Sequence, residues 1–261
     1  MIGAVLHNSL PFAPWLEPAA RRLPGIQPLH PDDWIIRDET FASQMRLRDA
    51  LLAHRPKDVH ALRPEANAAA QECLDLVLEA LRDDPEYTAT QNVITRPDGV
   101  AVPLDRTQPM VTLGRLVQSD LCLMHPGPNG HVLTGAALCF PAGWTLSQKI
   151  GRPMSRIHLP VPLYDEKMGE RVQRLFDSIR PGQVLGRANA FLYDKADLFA
   201  PRVETDPRPH VDVTTAKFVR SERQTLRRLP ASDAIVFGIH TYVVAIDRLT
   251  PQQRNSLDRL T

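Results

Sequence analysis

Cysteine is scarce in this chain of 261 residues: Cys73, Cys122 and Cys139 stand far apart. Three scattered thiols exclude a disulfide framework and a Cys-x-x-Cys metal site, and fit a reducing compartment. Charge imbalance is lacking as well, with 31 Lys+Arg against 30 Asp+Glu and a net charge of +1. No global field draws nucleic acid or an anionic membrane, so neither is expected as a partner. Lysine is rare, at five residues, and arginine carries the positive charge. Long hydrophobic runs are missing too. Residues 121–148 contain no Asp, Glu, Lys or Arg, but His125-Pro-Gly-Pro-Asn-Gly-His131 divides them into two short apolar strands, the pattern of a hairpin and not of a membrane span. Met1 to Leu10 has neither a basic start nor a useful apolar run, which predicts no secretory signal and a cytoplasmic protein. Walker-type, G-x-S-x-G, H-E-x-x-H and strand-linked G-x-G-x-x-G signatures do not occur, so P-loop NTPases, serine hydrolases, zincins and dinucleotide dehydrogenases lose support.

What the chain has in abundance is proline, 24 residues spread throughout, which caps the length of most elements. Residues 1–38, proline-rich with isolated Phe12, Trp15 and Trp34, read as an arm laid over a single domain of residues 39–261. Apolar spacing of three and four predicts one helix that begins near Glu39 and ends before Pro56, and another after Pro64, through Ala66, Ala70, Cys73, Val77 and Leu81. Period-two segments around Arg96-Pro-Asp-Gly99 predict a hairpin, and Leu121–Met124 with Val132–Phe140 a second, deeper one. A short helix is expected within Pro141–Ile150, an extended segment at Pro153–Pro162, and a helix over Asp165–Ile179. Late strands are expected at Val184–Tyr193, Lys217–Leu226 and Ile235–Ile246, with a closing helix after Pro251. Hairpins with helices segregated beside them indicate an α+β domain with a mainly antiparallel sheet.

Three segments carry candidate chemistry. His158 sits among Met154, Ile157, Leu159 and Val161 beside the uncharged hairpin, and one neutral imidazole nitrogen facing an apolar slot is what an axial haem ligand requires; a packed loop histidine is the plainer alternative. On a strand, Arg220, Glu222 and Gln224 share one face, and Arg223 and Thr225 the other. In Phe237-Gly-Ile-His-Thr-Tyr242, alternation puts His240 and Tyr242 together. His125 and His131 bracket a Gly/Pro tip with no nearby carboxylate or thiolate and read as solvated turn residues.

Taken in order, Pro31-Asp-Asp-Trp34, Leu121-Cys-Leu-Met124, Leu138-Cys-Phe-Pro-Ala-Gly-Trp-Thr-Leu-Ser-Gln-Lys-Ile-Gly-Arg-Pro153, Ile157-His-Leu-Pro-Val-Pro162, Arg187-Ala-Asn189, Glu222-Arg-Gln-Thr-Leu-Arg-Arg-Leu-Pro230 and Ile239-His-Thr-Tyr242 resemble the haem-dependent oxidative N-demethylase alpha-subunit-like family. The resemblance runs from about residue 28 to residue 247. It implies a PAS-like haem-binding fold, a haem b cofactor, and oxidative removal of a methyl group from a dimethylamine-like alkylamine with dioxygen, leaving amine and formaldehyde. On that reading His158 is the axial ligand and Arg220 and Arg223 neutralise the haem propionates. Glu222, His240 and Tyr242 line the substrate side, Glu222 holding the ammonium and His240 able to share a proton with it. Electrons come from a separate NAD(P)H-dependent flavin/iron–sulphur reductase subunit. Two positions depart from the family pattern, Ala190 where a Trp usually follows the Asn, and His240 where Arg or Lys is common. A PAS-like sensor that binds haem or another small ligand without turnover is the alternative in a different class.

Overall fold

The computed structural model describes residues 5–18, 24–158, 165–207 and 210–260. Strand β1 (Gln27–Leu29) lies within the arm, and helix α1 (Phe41–His54) buries Phe41, Met45, Leu51 and Leu52 together with the polar Gln44 and Arg48. The single turn α2 (Pro56–Val59) leads to β2 (His60–Leu62), and α3 (Asn67–Arg82) buries Ala70, Cys73, Leu74, Val77 and Leu81 at the expected spacing. Strands β3 (Thr88–Ala89), β4 (Val93–Thr95) and β5 (Ala101–Pro103) form a small sheet, its Arg96–Gly99 turn closed by Gly99 at φ 80°. Helix α4 (Pro109–Leu116) is followed by β6 (Asp120–His125) and β7 (Val132–Ala137), the predicted inner hairpin. Two single turns come next, α5 (Leu146–Lys149) and α6 (Met154–Ile157), and then α7 (Glu166–Ser178), capped by Asp165 accepting from Met168 N–H. Strands β8 (Val184–Tyr193), β9 (Phe218–Arg228) and β10 (Ile235–Ala245) and the capped turn α8 (Pro251–Arg254) complete the order.

One element was not expected and one expectation needs correction. Helix α4 has no counterpart in the sequence reading. The segment expected to run extended from Pro153 is helical over Met154–Ile157, because Pro153, at the N-cap with extended backbone, starts a turn without having to donate within it; residues 159–164 lie outside the described residues.

Seven strands form one antiparallel sheet in the order β1-β8-β9-β10-β6-β7-β2, consistent with the α+β expectation. Its first face carries Leu121, Leu123 and Val236 against α3 and α4, and farther along Ala190, Tyr242 and Val244 against Leu10, Ala13 and Trp15 of the arm. The second face carries Cys122, Leu226, Ile235 and Ile239 against Leu146, Met154 and Phe176 of α5, α6 and α7. At the start of β6, Asp120 and Arg48 form an ion pair of 2.6 Å with both side chains fully buried. Asp120 also accepts from the Cys139 and Phe140 amides at 2.7 and 2.9 Å, pinning the start of the Cys-Phe-Pro-Ala-Gly-Trp segment to the sheet. No helix among the described residues is long and apolar enough to cross a membrane.

Candidate functional site

Register decides which candidate residues meet. Asn189, Glu222 and Thr241 are directly paired across β8, β9 and β10, and Arg187, Gln224 and Ile239 form a neighbouring rung of the same face. Directly opposed residues of an antiparallel ladder share a face, so these two rungs make one polar patch on the second face. The Glu222 carboxylate accepts from Gln224 Nε2 at 3.1 Å and Asn189 Nδ2 at 3.4 Å, with Arg220 Nη2 at 3.7 Å. Asn189 Oδ1, Thr241 Oγ1 and Arg220 Nε are buried without a hydrogen-bond partner. Unpartnered buried polar atoms are costly and rare, and several around one carboxylate mark a place that a ligand or water would complete. Arg187 is half-buried, and among the described residues no carboxylate lies within ion-pair distance of it. Burial lowers its pKa and Glu222 opposes that shift.

His158 lies at the C-cap of α6, next to Ile157, which packs with the apolar residues of this face. Its Nδ1–H donates to the Met154 carbonyl at 3.0 Å, which puts the ring lone pair on Nε2. Burial pushes the His158 pKa down; the Met154 bond opposes this, and the charges of Lys149 and Arg187 add to it. The neutral ring that metal ligation needs is therefore the favoured form.

The remaining candidates are placed elsewhere. His240 pairs with Arg223 and Tyr242 with Ser221, so all four point to the first face, through the sheet from Glu222. The expected proton sharing between Glu222 and His240 does not form, because adjacent residues of a strand point to opposite sides. His240 Nε2 and His7 Nε2 both donate to Asp38 Oδ2 at 2.8 Å, and Asp38 Oδ1 accepts from Gln118 Nε2 at 2.7 Å, Thr40 Oγ1 at 2.8 Å and Thr40 N–H at 2.9 Å. Burial alone would raise the Asp38 pKa, but the bonds and charges of His240 and His7 hold it far below the usual carboxylate range. Tyr242 packs against both imidazoles, and burial raises its phenol to about 12. This network fastens the arm to the sheet. Arg223 donates to the Asp33 carbonyl of the same arm. Arg220 is engaged too, donating to the carbonyls of Phe140 at 2.6 Å, Leu198 at 3.0 Å and Asp197 at 3.3 Å.

His131 is a further correction, since it is fully buried against Phe176 and shares Nδ1 with Gln173 Nε2 at 3.0 Å, where a solvated turn residue was expected. His125 is half-buried, with Nδ1 at 2.6 Å from Thr134 Oγ1. Sequence reasoning gave no role to Arg187, Asn189, Gln224 or Thr241. Alternation within Arg187-Ala-Asn189 was the available signal, placing both polar side chains on one face of β8.

Residues 25–260 match the family model described as haem-dependent oxidative N-demethylase, alpha subunit-like.

Proposed function

Because this chain belongs to the haem-dependent oxidative N-demethylase alpha-subunit-like family, we propose that it is the haem-binding subunit of a monooxygenase that removes a methyl group from a small, dimethylamine-like alkylamine, yielding the demethylated amine and formaldehyde. The observation that carries this reading is the grouping, on the second face of the sheet, of a desolvated imidazole at His158, a half-buried guanidinium at Arg187 and a carboxylate at Glu222, with unpartnered polar atoms of Asn189, Thr241 and Arg220 beside it.

These residues fit a haem. Leu226, Ile239, Phe237 and Trp144 supply apolar surface next to the polar patch, and the desolvated His158 ring is the nitrogen donor that would hold the iron. Arg187, without a carboxylate at ion-pair distance among the described residues, is the cation for a propionate, in place of Arg220 and Arg223 with their carbonyl partners. Haem b, when bound, supplies the reaction with dioxygen that oxidises the N-methyl carbon. Glu222 accepts the N–H of the substrate ammonium, held in orientation by the amides of Gln224 and Asn189. The Asn189 side-chain Oδ1 and the Thr241 hydroxyl are the remaining acceptors. Burial of this patch keeps competing water from the cation, which strengthens the charged contact.

The net reaction consumes an N-methyl amine, one dioxygen, two electrons and two protons, and gives amine, formaldehyde and water. The electrons require another protein. Cys73, Cys122 and Cys139 are all buried in the core, and three separate thiols fall short of the four protein ligands that an iron–sulphur cluster takes. A separate NAD(P)H-dependent reductase completes the proposal.

Adding haem to the purified protein tests the assignment. Wild type should give a Soret band of about one haem per chain, and His158→Ala should lose most of it while remaining folded. Unchanged ferric and ferrous spectra in His158→Ala would refute the ligand. Absence of a spectral response to every methylamine in the haem-loaded wild type would refute the substrate reading and leave a sensor.

A further inference from the structure

Of the five lysines in the chain, Lys57, Lys167, Lys195 and Lys217 are exposed, whereas Lys149, the last residue of α5, is buried with its side chain 4% exposed. A strongly hydrated ammonium leaves water only where fixed acceptors replace its hydration. Lys149 Nζ has two: the Glu204 carboxylate at 2.5 Å and the Ile157 carbonyl at 2.9 Å. Glu204 also receives Arg156 Nη2 at 2.8 Å and Nη1 at 3.2 Å, and its amide donates to Gln148 Oε1 at 3.1 Å. Three pieces of chain are tied together in this way: α5, α6, and the segment between β8 and β9.

What this clamp holds is the turn that carries His158. Helix α6 is four residues long, too short to persist by itself. Ile157, its last residue, precedes His158, and its carbonyl is one of the helix-end acceptors that lack an intrahelical donor; a cation is favourable at that end. The His158 amide and Nδ1–H both return to the Met154 carbonyl at 3.0 Å, so the ring is fixed to the turn and the turn is fixed by Lys149.

We propose that Lys149, braced by Glu204, is a positioning residue for the axial ligand: it sets the orientation of His158 towards the haem and places a fixed positive charge behind the ligand. The proposal rests on His158 being that ligand. With haem bound, a buried cation beside the His158 turn would disfavour the more positive ferric state, so its removal would lower the midpoint potential in addition to loosening the bond.

The experiment compares wild type, Lys149→Arg and Lys149→Gln, each checked for folding by circular dichroism and titrated with haem. The midpoint potential and the ferrous iron–histidine stretch, read by resonance Raman, are then measured. Lys149→Gln is expected to weaken haem binding about tenfold, the loss of one charged hydrogen bond, to lower the potential, and to broaden or lower the stretch; Lys149→Arg should restore all three towards wild type. A folded Lys149→Gln with wild-type affinity, potential and stretch overturns the proposal. Should Lys149→Gln not fold, Glu204→Gln is read by haem affinity and the stretch, with the potential expected to rise because a negative charge is removed, and an unchanged stretch there overturns the proposal equally. The two readings fail separately: if His158→Ala keeps the wild-type spectrum the ligand assignment falls and this inference with it, whereas loss of the spectrum in His158→Ala with no change in folded Lys149→Gln removes the clamp alone.

Discussion

Replacing Asp38 with Asn keeps the shape of the side chain and converts one acceptor oxygen into a donor. Either orientation of the new amide is unfavourable, because Oδ2 receives two imidazole N–H groups and Oδ1 receives the Gln118 amide together with the Thr40 amide and hydroxyl. The less costly arrangement turns the NH2 towards the imidazoles. His240 can then change tautomer, since Ser119 Oγ lies 3.4 Å from its Nδ1 and a hydroxyl both donates and accepts. His7 cannot, because its Nδ1 accepts from the Val243 amide at 3.2 Å. Its Nε2–H faces a donor, with Thr40 Oγ1 at 3.1 Å as the remaining acceptor. A buried, poorly paired N–H costs about 1–3 kcal/mol, and the other bonds weaken once the charge is gone. Asp38→Asn is therefore expected to lose about 3 kcal/mol, a fall in Tm of about 6–12 °C. The pH dependence sharpens the test. Asp38 has a depressed folded pKa, so its stabilisation is complete above the unfolded carboxyl value of about 3.9 and is lost as pH falls below that. His240 is held below its ordinary value by burial, with Asp38 opposing, so the fold also loses stability as pH drops below about 6.5, where the unfolded chain takes up the proton first. Denaturant melts of wild type and Asp38→Asn between pH 8 and 3 should show the full gap above about pH 4 and a gap narrowing by about 1.4 kcal/mol per pH unit below it. The haem spectrum of the variant should match wild type, because Asp38 acts on the first face. Equal stability at pH 7, or a haem spectrum changed while stability holds, would refute the two-face assignment.

Glu222→Gln should bind haem with an unaltered spectrum and require about tenfold more dimethylamine for the same spectral shift, since a charged hydrogen bond of about 1.5 kcal/mol is lost; identical titrations in both proteins would remove Glu222 from the substrate site. The haem-loaded chain alone should not sustain NADPH oxidation, which stopped-flow or steady-state absorbance at 340 nm would check, and steady turnover with no second protein present would contradict the need for a reductase.

The sequence showed most elements whose side chains alternate between buried and exposed surroundings. Helix α3 and the hairpin closed by Gly99 were legible because one face of each is apolar and the other polar. Helix α4 was not, because it is only eight residues long, about two turns, and includes Pro109 and Gly114, too short a stretch for its period to stand out. At the site, alternation correctly separated Glu222 from Arg223 within β9 and grouped His240 with Tyr242 within β10. It could not say which set of β10 lies beside which set of β9. That depends on register, and a shift of one residue would have brought Glu222 and His240 together. The polar residues of α1 were likewise illegible as core, since Gln44 and Arg48 are buried only because the Thr241 carbonyl and Asp120 meet them from distant strands.

The β9–β10 ladder runs without a bulge over all eleven residues of each strand, with Glu222 serving one side and His240 the other. A strand used on both sides can change by substitution but not by length. One residue inserted between Gln224 and the hairpin at Asp233, itself at φ 62°, would exchange the two sets, sending Glu222 beneath the arm and Arg223 towards the helical turns. This pair of strands must therefore keep its count, whatever its side chains become.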